Sequence, residues 1–149
     1  MDRNIVQHWQ LQASPAVVWE CLTDPGMLAD WLMPNDFRAK LGHEFTFKTK
    51  GRPGFDGTVY CKVLMLEPTQ RLSYSWRGGP GDGTISLDSV VTWTLFATDA
   101  GTELKLEHTG FKGLKNYLTY IVMDFGWRKH VRNRLIKKLI SNEAVTTHG

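Results

Sequence analysis

Five histidines, two cysteines and a charged group near the C-terminal end are the side chains here whose chemistry could do more than fill space. His8, His43, His108, His130 and His148 show no spacing at which they would share a metal with one another or with a thiol. Cys21 and Cys61 are far apart, each in an apolar stretch, which points to reduced, buried thiols. No metal and no cofactor is assigned. His108 continues the apolar face of Leu104 and Leu106, so it is either a strand-end imidazole bonded to a loop carbonyl or a group that orients a polar ligand and takes a proton near neutral pH. Arg128 and Arg132 sit four residues apart inside what a helical wheel makes an apolar sector. A guanidinium there must meet a carboxylate or an anionic ligand. Asp124, one turn before Arg128, offers an internal ion pair; the alternative is that Arg128 meets a carboxylate or phosphate at the mouth of a cavity. Signatures of covalent or phosphate chemistry, such as G-x-S-x-G, H-E-x-x-H, C-x-x-C and the Walker loop, do not occur. The run Gly78 to Gly83 precedes an alternating segment rather than a helix, so it reads as a loop at a rim and not as a phosphate cradle.

The elements that must position these groups follow from periodicity. Ile5, Gln7, Trp9 and Leu11 share one face of a first strand. Ser14-Pro15 and Asp24-Pro25 each pair an N-cap with a first-turn proline, and predict two short helices, the first carrying Val17, Val18, Cys21 and Leu22, the second Met27, Leu28, Trp31 and Leu32. From Phe37 to His108 the period is two, and six further strands are predicted at 37–40, 44–49, 58–67, 71–77, 86–98 and 103–108, with a hairpin at Asp99-Ala100-Gly101. Phe45 and Phe47, Leu72, Tyr74 and Trp76, Val91, Trp93 and Leu95 point inward. Beyond Gly113 a 3.6 period gathers Leu114, Tyr117, Leu118, Ile121, Phe125, Val131, Leu135 and Leu139 on one face of a long helix. Gly126 interrupts it, and close packing beside Trp127 is the expected reason. The sum is an α+β helix-grip fold: a curved, seven-stranded antiparallel sheet around a C-terminal helix, with two short helices after the first strand, and a hollow between sheet and helix.

Composition agrees with one domain over residues 1–149, ordered from about residue 4 to 141. Hydrophobic residues make up 42% of the chain and charged residues 22%, and a chain of this length hides about 70% of its surface on folding without staples or metals. No secretory leader or membrane span is read, and a cytoplasmic location is expected. Residues 111–149 hold eight Lys and Arg against two Asp and Glu, whereas residues 1–110 hold ten against thirteen. The basic bias reads as a solvated helix face, and no nucleic-acid partner is assigned.

Several stretches in fixed order carry a family resemblance: Ser14-Pro15-Ala16-Val17-Val18-Trp19, Thr23-Asp24-Pro25, Leu28-Ala29-Asp30-Trp31, Gly57-Thr58-Val59, Glu67-Pro68, Leu72-Ser73-Tyr74-Ser75-Trp76, Gly101-Thr102-Glu103-Leu104 and Gly126-Trp127. Together they resemble the small bacterial homologues of the activator of the 90-kDa heat-shock-protein ATPase, within the START-like, birch-pollen-allergen-like superfamily. The resemblance implies a cavity that takes lipids, sterols, polyketides, hormones or aromatic compounds, and a link to chaperones and the stress response. The eukaryotic co-chaperone carries a further N-terminal domain that this chain is expected to lack. The family has no invariant catalytic set, so none is carried over.

Three functions follow as expectations. The first is a protein that binds a small apolar, aromatic or lipid-like ligand, open to an anionic group, lined by Trp31, Phe45, Phe47, Tyr74, Trp76, Trp93, His108, Tyr117, Tyr120, Ile121, Asp124 and Arg128. The aromatic rings among these could equally form solid core. The second is a cyclase-type or hydrolase-type enzyme using His108 or Asp124. The third is an interaction module whose basic helix meets a chaperone or a second copy of the chain.

Overall fold

Ser14 and Asp24 start helices as their positions require. Ser14 Oγ accepts the Val17 N–H at 3.3 Å and Asp24 Oδ1 accepts that of Met27 at 3.0 Å, each ahead of a proline whose missing N–H costs nothing in the first turn. The computed structural model describes residues 2–113 and 116–148, with residue 2 and residues 142–148 described by their backbone alone. The chain runs β1 (Asp2–Leu11), α1 (Pro15–Thr23), α2 (Pro25–Trp31), β2 (Glu44–Lys48), β3 (Thr58–Glu67), β4 (Arg71–Gly78), β5 (Leu87–Thr98), β6 (Gly101–Lys112) and α3 (Tyr117–Gly126). A π-helical turn (Trp127–Val131) then leads into α4 (Arg132–His148). The described strands form one antiparallel sheet in the order β1-β6-β5-β4-β3-β2.

Six strands therefore stand where seven were expected. Residues 37–40 do not pair because side chains have taken the backbone's place there. Asn35 Oδ1 accepts the Phe37 N–H at 3.0 Å and Asp36 Oδ1 accepts the Thr46 N–H at 2.7 Å. Pro34 O accepts the Lys48 N–H at 2.9 Å, and a single bridge joins Asn35 to Phe47. This segment covers the outer edge of β2 without extending the sheet, which protects an exposed edge.

At the other end β6 runs four residues further at its C-terminus, and starts two residues earlier, than its alternation suggested. Opposite the Arg3–Asn4 step the register slips past Gly110, whose φ of +106° favours glycine and whose added Cβ would stand 2.9 Å from Asp88 O. The slip moves the buried series from Leu104, Leu106 and His108 to Phe111.

The core between the sheet and the helices is dense and aromatic. Trp93 makes edge contacts with Trp9 (5.5 Å), Trp127 (5.5 Å) and Trp31 (5.8 Å), and Trp76 lies 5.4 Å from Trp127. Phe45, Phe47 and Tyr74 continue it towards the β2 edge. The thiols are buried in this interior, and burial pushes Cys21 up to about 11 and Cys61 higher still, so both stay protonated.

The C-terminal rod departs from a plain amphipathic helix. Trp127, Leu135 and Leu139 are buried, but no residue of α3 is, and Leu118, Ile121, Val122 and Phe125 are exposed. Leu114, assigned to the same stripe, lies outside the described residues. The π turn, in which the Arg132 N–H reaches back to Trp127 O, adds one residue and rotates the following helix by about 100° relative to an α wheel. The wheel places Arg128 inside the apolar sector, but Arg128, within the π turn and next to buried Trp127, is exposed, and Arg132 is half-buried. Gly126 corrects a second expectation. It packs against nothing, because an added Cβ would meet no heavy atom within 4 Å outside its own helical backbone. Gly126→Ala is therefore expected to stabilise the fold by up to about 1 kcal/mol and raise the thermal midpoint by about 3 °C, as read by calorimetry.

Candidate functional site

Trp127 fixes the rod to the sheet through a chain of buried hydrogen bonds. Its indole Nε1–H donates to His108 Nδ1 at 3.1 Å, so the remaining imidazole proton sits on Nε2 and donates to Ser89 Oγ at 2.8 Å. Ser89 in turn donates to Trp76 O at 2.7 Å. His108 is fully enclosed, and burial lowers its pKa to about 3, which keeps the ring neutral. With one nitrogen accepting and the other donating, it has no lone pair left for a ligand. It is a joint between β6 and the π turn, not an acid or base in a pocket.

Asp124 is committed in a similar way. Gln7, on the inward face of β1, donates from Nε2 to Asp124 O (3.0 Å) and Oδ1 (2.9 Å), while its Oε1 accepts the Trp9 indole N–H at 2.9 Å. Arg128 Nη1 lies 3.6 Å from Asp124 Oδ2, the internal ion pair rather than a ligand contact. Gln7 was unremarked as a functional group in the sequence. Its signal was a polar residue at an inward position of an otherwise apolar strand face.

Beside this joint an open cleft of about 1080 Å³ lies between the rod, the Leu32–Pro34 segment and the loops that leave β2 and β4. The rod contributes Leu118, Val122, Phe125 and Gly126 to its wall, the sheet Val59 and Trp76, and the loops Phe55 and Leu87. The two loops are tied by the Asp56 N–H donating to Gly79 O at 2.9 Å, which sets the rim. Its volume is slightly above the usual range for sites that enclose a small molecule, as fits an open cleft. The exposed apolar residues of α3 thus have a physical setting, since Leu118, Val122 and Phe125 face this space rather than bulk solvent alone.

Of the twelve residues expected to line a cavity, Trp76 borders the cleft. Trp31, Phe45, Phe47, Tyr74 and Trp93 are buried in the aromatic core, with the Trp93 indole donating to Tyr74 Oη at 2.9 Å and that of Trp31 to Cys21 O at 2.9 Å. Tyr120 packs on Phe111, and Tyr117 and Ile121 are exposed outside the cleft wall. The residues that do border it include Lys48, Arg52, Phe55, His130 and Arg134, which no periodicity singled out, because all five lie in a loop, at a strand end or on the wheel's polar side.

The family model described as Activator of Hsp90 ATPase homolog 1-like protein matches residues 12–139. The chain belongs to this family. MLL2253 from Mesorhizobium loti is 34% identical, with a TM-score of 0.84, over 93% of this chain and 98% of that one. CalU16 from Micromonospora echinospora shares the fold at 23% identity and a TM-score of 0.70, over 93% and 76% of the two chains. DynU16, a putative protein in the dynemicin biosynthetic locus, does so at 20% identity and 0.78, and the match covers 95% of this chain but 49% of that one. No curated protein matches the chain. Membership in the activator-homologue family agrees with the two-helix, curved-sheet, C-terminal-helix architecture, and among the described residues no helix is long and apolar enough to cross a membrane.

The buried imidazole makes a testable demand on stability. Above pH 6.5 the folded and unfolded chains both carry a neutral His108, and it contributes no pH dependence. As the pH falls from 6.5 towards 3, the unfolded chain takes a proton that the folded chain refuses, so this group alone lowers stability with a slope approaching about 1.4 kcal/mol per pH unit. Denaturant unfolding at pH 7, 6 and 5 should show that slope shrinking by this amount in His108→Gln.

Proposed function

We propose that the protein binds a small, largely apolar molecule in the cleft between its C-terminal rod and the loops leaving β2 and β4. The observation that carries this reading is the half-open apolar wall of α3. Leu118, Val122 and Phe125 are exposed on a helix whose continuation is firmly buried, and they face Trp76, Phe55 and Leu87 across empty space. Burying such side chains against a ligand is favourable by about 25 cal/mol for each Å² of apolar surface removed from water. The fold of the family commonly serves ligand binding, and one of the structural relatives comes from a biosynthetic locus, which supports a small molecule as occupant. A cyclase-type or hydrolase-type reaction would need groups other than His108 and Asp124, whose polar atoms are engaged away from the cleft. On this reading the ligand is a metabolite bound in the cytoplasm.

Native mass spectrometry of the protein purified from its own host should show a copurifying compound. Independently, the neutral apolar fluorophore N-phenyl-1-naphthylamine should bind and accept energy from Trp76 and Trp127, which border the cleft. Gly126→Leu places a side chain in that space without a backbone clash and should weaken binding by about tenfold, equivalent to about 1.4 kcal/mol. Absence of fluorophore binding, or an affinity indifferent to Gly126→Leu, would refute the assignment.

A further inference from the structure

We propose that the end of the cleft bordered by Lys48, Arg52 and Arg134 holds the anionic head group, a carboxylate or a phosphate monoester, of an otherwise apolar ligand. The inference rests on the cleft reading and adds to it the chemistry of one end of the occupant. Among the described residues that border the cleft, three carry a positive charge and none carries a carboxylate. Other cations of the chain are held by acids: Arg77 by Asp88 at 2.9 Å, Lys138 by Asp30 at 2.7 Å, and Arg128 by Asp124 at 3.6 Å. Among the described residues, Lys48, Arg52 and Arg134 form no such pair.

Their backbone and side-chain anchors bring two of them to one place. The Lys48 N–H donates to Pro34 O at 2.9 Å, and Arg134 Nη1 donates to Leu32 O at 3.5 Å, so both flank the same short segment after α2. Lys48 Nζ also donates to Thr58 Oγ1 at 3.1 Å, which steadies the ammonium and leaves hydrogens free for an acceptor. Arg52 projects from a tight turn in which its N–H and C=O both bond to Phe55, at 2.8 and 2.9 Å, and Phe55 itself lies on the cleft wall.

The acids of the adjoining segments accept other donors. Asp56 accepts the Thr58 N–H at 3.0 Å and the Tyr60 hydroxyl at 3.4 Å, Asp36 accepts the Thr46 N–H, and Asp30 holds Lys138. Three cations at the edge of an apolar cleft, two of them held by neutral acceptors, match the charge pattern of an amphipathic anion. His130, on the same wall, adds a further polar group against the ring of Phe125.

Three ligands with one tail and different heads test this: decanoate, decyl phosphate and decan-1-ol, titrated below their micelle concentrations by tryptophan fluorescence. One of the two anions should bind at least tenfold tighter than the alcohol in dilute buffer, and the advantage should shrink at 0.5 M salt. The tighter anion identifies the head as carboxylate or phosphate. Lys48→Gln combined with Arg134→Gln should reduce the advantage to less than threefold, whereas Arg128→Gln, whose side chain pairs with Asp124 outside the cleft, should preserve it. Equal binding of all three ligands, or an advantage that survives the double substitution, would overturn the head-group site and leave the apolar cleft standing. Binding of none of them would overturn the cleft as well.

Discussion

A buried indole N–H must find an acceptor or forfeit much of the stability its ring provides, and at Trp127 that requirement organises the molecule. The acceptor is His108 Nδ1, which can serve only while the ring is neutral and its other nitrogen donates. Ser89 Oγ accepts that hydrogen bond and donates its own to a strand carbonyl. Each bond fixes the direction of the next, so β4, β5, β6 and the C-terminal rod are held by one polar chain inside an otherwise apolar core. The surrounding tryptophans exclude water from it, which raises both the strength of the bonds and the cost of breaking any one of them.

The cleft is a consequence of where that anchor sits. From Trp127 onward, Leu135 and Leu139 follow into the core, while the preceding ten-residue helix is tethered chiefly by Gln7 to Asp124 and hides no residue of its own. A rod pinned in its middle, leaving a sheet that curls away, cannot close against the loops on both sides. The π turn at the anchor sharpens the effect by rotating the downstream face into the sheet and leaving the upstream apolar face towards the opening.

Membership in the activator-homologue family fixes the architecture but leaves the chemistry to the side chains, as it does for any fold with many occupants. What distinguishes this chain is that its most conspicuous chemical groups are structural. The imidazole, the carboxylate and the aromatic rings that invite a catalytic or stacking role are consumed in holding the rod. The proposed recognition rests instead on less conspicuous residues at the rim: an apolar helical face and three cations that form no ion pair among the described residues.

Much of this was legible in the residues themselves. The caps Ser14 and Asp24, the alternation of β3 to β6 and the inward aromatic faces are local rules, because hydrogen bonding and burial within one element decide them. The missing strand at 37–40 was not, since Asn35 and Asp36 bond to backbone that only the folded chain brings near. Nor was the fate of His108: periodicity placed it correctly on the inner face of β6, but its neutrality comes from burial in the folded core and its tautomer from a tryptophan nineteen residues away. The wheel assumes one period throughout, and the π turn that contains Arg128 breaks it. The cleft, finally, belongs to tertiary structure alone, because an unfilled volume is set by how elements approach one another, and no single element's sequence records that distance.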